Sequence, residues 1–156
     1  MWVHRFFTYK APHTELAPTS GAMGYGLPAA VAAGLRYPDR LTVCVTGDGD
    51  FLMYPQELAT AAQYGARLLV LIVNNGMYGT IRMHQERHFP GRVSGTDLPS
   101  PDFVGLAQSF GAYAERVETT DAFAPALERA LAARGSAVLE LRTDPNQLTP
   151  DRRIGS

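Results

Sequence analysis

Cysteine is nearly missing from the 156 residues: Cys44 is the single one. An intrachain disulfide framework is therefore excluded, and so is a cysteine metal cage. Its setting, Leu41-Thr42-Val43-Cys44-Val45, reads as a buried core thiol. Long hydrophobic runs are also lacking. The longest aliphatic run, Leu68 to Val73, is far short of the roughly 20 residues that cross a bilayer. No charge dominates, with 14 Lys and Arg against 15 Asp and Glu and a net charge of −1. Such a balance gives no electrostatic case for nucleic acid or an anionic membrane, which leaves small-molecule chemistry. Neither end shows a signal-peptide pattern, so the cytoplasm is the default expectation. Internal repeats, low-complexity segments and a Gly-Lys-Ser/Thr phosphate loop are absent as well.

What is present is the composition of one globular domain, 46% hydrophobic and 19% charged. Two β-branched apolar runs, Leu41–Thr46 and Leu68–Val73, are too short for helices and read as buried strands. Ala137–Leu141 is a weaker third. Between the first two, Pro55–Tyr64 carries Leu58, Ala61 and Ala62 at helical spacing, with Pro55 suited to the first turn and Gly65 to the stop. A strand-helix-strand unit of this kind makes a right-handed parallel crossover. Further helices are predicted over Leu27–Leu35, Pro101–Phe110 and Thr120–Ala133, the last with Asp121 as its cap. The fold class expected is α/β, a doubly wound, mostly parallel sheet with helices on both faces. Phe89–Pro101, rich in Pro and Gly, reads as a long loop near a site. Residues 1–145 are expected to form the domain and 146–156 a tail, with fraying from Asp144.

Both strong strands run into turn chemistry, Gly47-Asp48-Gly49 after the first and Asn74-Asn75-Gly76 after the second. Ligands of open α/β sheets bind at the carboxyl ends of strands. The first turn offers backbone amides and a carboxylate, and the second offers amide oxygens. Together they suit a magnesium diphosphate, because magnesium takes a few hard oxygens from protein and the rest from phosphate and water. Alone, each tripeptide is ordinary loop sequence.

Gly47-Asp48-Gly49, the interval Asp50 to Val73, and Asn74-Asn75 resemble in type and spacing the signature of enzymes dependent on thiamine diphosphate (ThDP). The resemblance implies that Asp48, the Asn75 side chain and the Met77 carbonyl ligate magnesium. Upstream, Gly21-Ala22-Met23-Gly24-Tyr25-Gly26-Leu27-Pro28-Ala29-Ala30 is similar to the family's other cofactor contact. It implies that Met23 props the cofactor in a bent shape, while the backbone at Gly21 and Met23 bonds the aminopyrimidine. The bend brings the pyrimidine amino group to the thiazolium C2 proton. Cofactor contacts are thus expected from Gly21, Ala22 and Met23, from Gly47, Asp48, Gly49 and Asp50, and from Asn75, Met77, Tyr78 and Gly79.

Nearly the whole chain is similar to the pyrophosphate-binding domain of the acetolactate synthase and benzoylformate decarboxylase group. Asn74 through Gly79 fits either branch. Asp102-Phe103, Leu106-Ala107, Phe110-Gly111 and Asp144-Pro145 lean to acetolactate synthase. The implied activity is decarboxylation and carboligation of a 2-oxo acid, pyruvate first, with simple decarboxylation of an aryl or branched 2-oxo acid as the alternative. A magnesium-phosphate-binding module without ThDP chemistry and a noncatalytic assembly piece are the other classes.

Asp50 departs from the family, which has a small residue there. A carboxylate beside a diphosphate is unfavourable unless it turns away, and a role at the start of the next helix is the reading favoured here. His84 replaces a tryptophan typical of acetolactate synthases, which leaves the substrate open. Thr80 and Ile81 are expected in the substrate pocket, with His84 a further candidate. His84 and His88 stand at i, i+4 without further zinc ligands nearby, and Arg87 and His88 read as a solvated helix face. The family's catalytic glutamate belongs to a separate pyrimidine-binding domain, so no catalytic residue is assigned to this chain. The resemblance also places a strand ahead of a segment like Trp2-Val3-His4-Arg5, and the expectation is that the domain is truncated at its N-terminus and lacks that first strand. The expectation is a fragment or a subunit that needs that domain from the same polypeptide or another chain, in a homo-oligomer.

Overall fold

A computed structural model describes residues 2–154. In chain order the elements are α1 (Trp2–Phe6), α2 (Gly26–Arg36), β1 (Thr42–Gly47), α3 (Asp48–Phe51), α4 (Glu57–Tyr64), β2 (Leu68–Asn74) and α5 (Gly79–His88). There follow α6 (Phe103–Ser109), β3 (Tyr113–Val117), α7 (Thr120–Ala132), β4 (Ala137–Arg142), β5 (Gln147–Thr149) and β6 (Arg152–Arg153). The first four strands form one sheet in the order β1-β2-β4-β3, and every pair in it is parallel. The fold is the expected α/β class.

The central strands β2 and β4 are covered on both faces and correspondingly apolar. On one face Val70, Ile72, Cys44 and Val138 pack with Leu27 and Val31 of α2, Leu58 and Ala61 of α4, Phe51 of α3 and Phe103 of α6. The rings of Phe51 and Phe103 meet edge to face at 5.8 Å. On the other face Leu69, Leu139 and Ala137 pack with Ala126 and Ala130 of α7. A helix about 10 Å wide covers two strands spaced about 4.8 Å apart. That face is therefore open over β1, where Val43 and Val45 are 46% and 42% exposed.

Three local expectations change, and one strand appears that was not expected. The Thr119 hydroxyl, and not Asp121, caps α7 by accepting from the Ala122 amide at 3.3 Å. The helix expected over Pro101–Phe110 begins only at Phe103, after Asp102 at the N-cap. Tyr113–Val117 is a strand that no apolar run announces, since Glu115 and Arg116 lie within it. The stretch expected to fray pairs as the antiparallel hairpin β5-β6, tied by an Arg153–Asp144 ion pair at 2.8 Å.

Candidate functional site

The parallel register pairs Gly47 with Val73, so β1 and β2 release their next residues, Asp48 and Asn74, at the same level of the sheet. Asp48 opens α3 and is 2% exposed. Its Oδ2 accepts the Gly76 amide at 2.9 Å, which ties the two strand-end turns together. Burial raises the Asp48 pKa, against the opposing pull of backbone amides at Gly49, Gly76, Asp48 and Met77. A carboxylate held in this way gains from a cation.

The second turn is shaped by Gly76, whose φ of 69° lies in the left-handed region open to glycine. The Met77 amide donates to Asn75 Oδ1 at 3.2 Å, and the Gly79 amide to the Met77 carbonyl at 3.0 Å. The loop expected near a site does come back to it. Met77 bridges Asp97, the Tyr78 amide donates to the Thr96 carbonyl at 2.8 Å, and the Leu98 amide to the Gly76 carbonyl at 2.9 Å.

These turns border a cavity of about 410 Å³. Asp48, Asn75 and Met77 line it together, as do Gly47, Gly49, Asp50, Tyr78, Gly79 and Met23. Thr80 and Ile81, from the first turn of α5, form another part of the wall. Gly21, Ala22 and His84 do not line it: all three are exposed, and His84 instead stacks its ring on His88 at 6.2 Å. No cluster of three or more metal-ligating His, Cys, Asp or Glu side chains occurs among the described residues. Arg82 is less solvated than its helix face implies, with Nη1 on Met77 Sδ at 3.4 Å and an ion pair to Glu86 at 3.7 Å.

Donor chemistry fits a magnesium diphosphate. Asp48, Asn75 and Met77 offer oxygen, one anionic and two neutral, and such a set leaves charge on a divalent ion for phosphate to complete.

Sequence reasoning missed the support behind the turns. Asn74, 0% exposed, donates to Glu140 Oε1 at 2.7 Å, and its Oδ1 accepts the Gly76 amide at 3.0 Å and Ser100 Oγ at 3.1 Å. Glu140, 1% exposed, accepts Arg116 Nε at 2.8 Å. A charged residue inside the apolar run Val138-Leu139-Glu140-Leu141 was the available signal, because a buried carboxylate needs partners. Leu148 of the C-terminal hairpin and Val3 and His4 of α1 also reach the cavity.

Comparison with known proteins gives a consistent result. Residues 1–141 match the family described as thiamine pyrophosphate enzyme, C-terminal TPP binding domain. A probable acetolactate synthase large subunit of Methanocaldococcus jannaschii is 36% identical over 152 residues, 96% of this chain and 26% of that protein. An acetolactate synthase of Arthrospira platensis is 36% identical over 144 residues, 91% of this chain and 25% of its own length. Among solved structures, the thiamine diphosphate-dependent 4-hydroxybenzoylformate decarboxylase of Rhodococcus jostii RHA1 superposes with a TM-score of 0.76 at 40% identity. That match covers 81% of this chain and 24% of the decarboxylase. The chain thus spans about a quarter of the length of these relatives.

Proposed function

Because the chain belongs to the family of thiamine pyrophosphate enzyme C-terminal TPP-binding domains, we propose that its cavity holds ThDP through magnesium and serves a 2-oxo acid decarboxylase or carboligase. The observation that carries this reading is the meeting of Asp48, Asn75 and Met77 on one cavity at adjacent parallel strand ends. In it, Asp48, the Asn75 side chain and the Met77 carbonyl hold magnesium. Gly47 and Gly49 bring backbone to the diphosphate, and Met23 stands against the ring portion. When bound, ThDP supplies the electron sink for loss of carbon dioxide from a 2-oxo acid. The chain's residues bind, orient and shield, with Thr80 and Ile81 facing the substrate.

Acetolactate formation from pyruvate is the first reading, supported by the likeness to acetolactate synthases along 96% of the chain. Decarboxylation of an aryl 2-oxo acid is the second, supported by the 40% identity to a 4-hydroxybenzoylformate decarboxylase. Under either, the catalytic glutamate comes from a pyrimidine-binding domain, elsewhere in the polypeptide or on a partner chain, within a homo-oligomer. No helix among the described residues is long and apolar enough to cross a membrane.

Calorimetric titration of the chain with ThDP, with and without magnesium, tests the site. The expected result is binding that requires magnesium and is lost in Asp48→Asn. Adding a pyrimidine-binding domain and comparing pyruvate with benzoylformate then separates the two reactions. Binding of ThDP that ignores both magnesium and Asp48 overturns the assignment.

A further inference from the structure

Asp50 lies on the cavity wall two residues beyond Asp48, where a free carboxylate would repel a diphosphate. Its oxygens are not free. Oδ1 accepts the Gly24 amide, and Oδ2 accepts the Thr46 hydroxyl at 2.6 Å. Thr46 is itself buried on β1. One side chain therefore joins the segment ahead of α2 to the strand and turn that carry Asp48. Oδ2 also lies 3.8 Å from where a Cβ would stand on Gly26, the first residue of α2. A carboxylate near the amino end of an 11-residue helix is favourably placed for the helix dipole.

Gly24 is gripped from a second side. Its φ is 87°, and a Cβ there would stand 2.5 Å from the Tyr54 ring and 2.8 Å from Met53 Cβ. The segment is thus seated on Met53 and Tyr54 and pinned by Asp50, although its neighbours Gly21, Ala22 and Met23 are exposed. Met23 itself is 41% exposed.

We propose that Asp50 is a positioning residue: its carboxylate latches the Gly21–Gly26 segment onto the Gly47–Phe51 turn and so sets where Met23 stands on the cavity wall. This deepens the proposed function and rests on reading the cavity as a ThDP site. The latch also accounts for a carboxylate next to an anion site, because both oxygens are committed to protein donors that partly neutralise it. Its role differs from that of Asp48, which holds the metal. Losing the latch weakens ThDP without weakening the bare cation.

The test uses the full chain and its Asp50→Ala, Asp50→Asn and Thr46→Val variants. Manganese alone and ThDP with magnesium are titrated separately, and exchange of the Gly24 amide is followed by NMR without cofactor. Asp50→Ala is expected to lose about tenfold in ThDP affinity, the scale of one charge-assisted hydrogen bond, with Gly24 exchange accelerated; manganese affinity is compared in Thr46→Val, which keeps the Asp50 charge and should leave it unchanged. Asp50→Asn, which keeps an acceptor for Gly24, is expected to restore affinity to within about twofold, a difference worth about 0.4 kcal/mol. Thr46→Val removes only the second donor; an intermediate loss is expected, and this variant carries the test if Asp50→Ala fails to fold. Unchanged or tighter ThDP binding by Asp50→Ala, or Asn failing as Ala does, overturns the latch. A folded wild-type chain that holds no ThDP overturns the cofactor reading instead, and Gly24 exchange still decides the latch.

Discussion

Asn74→Leu measures the buried network behind the site, because the substitution keeps side-chain bulk and removes only polar contacts. Three hydrogen bonds are lost, but they are not equal. The Gly76 amide keeps Asp48 Oδ2 at 2.9 Å, and Ser100 is exposed and turns to water. The decisive loss is the donor to Glu140 Oε1 at 2.7 Å. A hydrogen bond to a charged group contributes about 1.5–3 kcal/mol. Glu140 retains Arg116 at 2.8 Å, and Arg142 at 3.7 Å, so the penalty stops short of a fully unpaired buried charge. The expected cost is about 2–3 kcal/mol, a large share of the roughly 5–15 kcal/mol that folds a domain.

Urea unfolding reads this as a lower midpoint at unchanged slope. The cycle with Glu140→Leu isolates the pair: the double variant replaces both partners with apolar groups and should cost less than the two single variants together, with a coupling of about 1.5–3 kcal/mol. An Asn74→Leu variant within about 0.5 kcal/mol of wild type, or strict additivity in the cycle, refutes the reasoning.

Asp48→Asn should raise the stability of the cofactor-free chain while abolishing magnesium-dependent ThDP binding. The sign follows from the raised pKa: the stabilising share of Asp48 is complete below the ordinary carboxylate pKa and lost as pH rises through the folded value, so at neutral pH its charge opposes folding. Unfolding midpoints at pH 7 check this. The same shift lets protons compete with the cation, so magnesium affinity should fall on acidification from a higher pH than an unperturbed Asp allows, as titrations across pH will reveal. Cys44, pushed up to about 12 by burial and then by the nearby Asp50 charge, should resist a thiol-disulfide reagent at pH 8 until urea opens the fold. Ile81→Ala should change stability by less than about 0.5 kcal/mol, as expected of an exposed side chain; under the proposed function it should also shift the preference between pyruvate and benzoylformate when a pyrimidine-binding domain is supplied.

Legibility in the sequence followed burial. β2 was readable because helices on both of its faces demand an unbroken apolar run at Leu68–Asn74; β1 was readable from the run at Thr42–Gly47, although only its Cys44 and Thr46 side is buried and Val43 and Val45 are exposed. Edge strand β3 was not, because it carries Glu115 and Arg116, whose charges are met by Arg129 and Glu140 from other elements. The cavity-lining turns were readable as motifs, since glycine, carboxylate and amide at strand ends leave a local signature. The Asn74–Glu140 bond spans 66 positions, and no local pattern encodes such a pairing. The likeness to known enzymes pointed to Gly21, Ala22 and Met23 together, whereas only Met23 of these lines the cavity. His84, expected as a further pocket candidate, is exposed on α5 beside His88, one turn on, and is not among the residues that line this cavity.

The cavity is therefore built from parts of unequal firmness. Its floor grows from β1 and β2, where Asp48 and Asn74 are buried and joined through the Gly76 amide. Its far wall is the start of α5, a helix without a single buried residue. Besides touching the C-terminal strand β5, α5 is held by loops: Gln85 exchanges two hydrogen bonds with Ser94, at 2.9 and 3.0 Å, and Arg82 reaches Met77. Local opening is easiest where few apolar contacts are buried, which places the least anchored structure beside Thr80 and Ile81. A group held by the floor keeps its position while the wall changes residue or moves. On this fold the buried Asp48 and the exposed Thr80 and Ile81 are accordingly carried by different elements, so under the proposed function a bound cofactor is held apart from the residues that face its substrate.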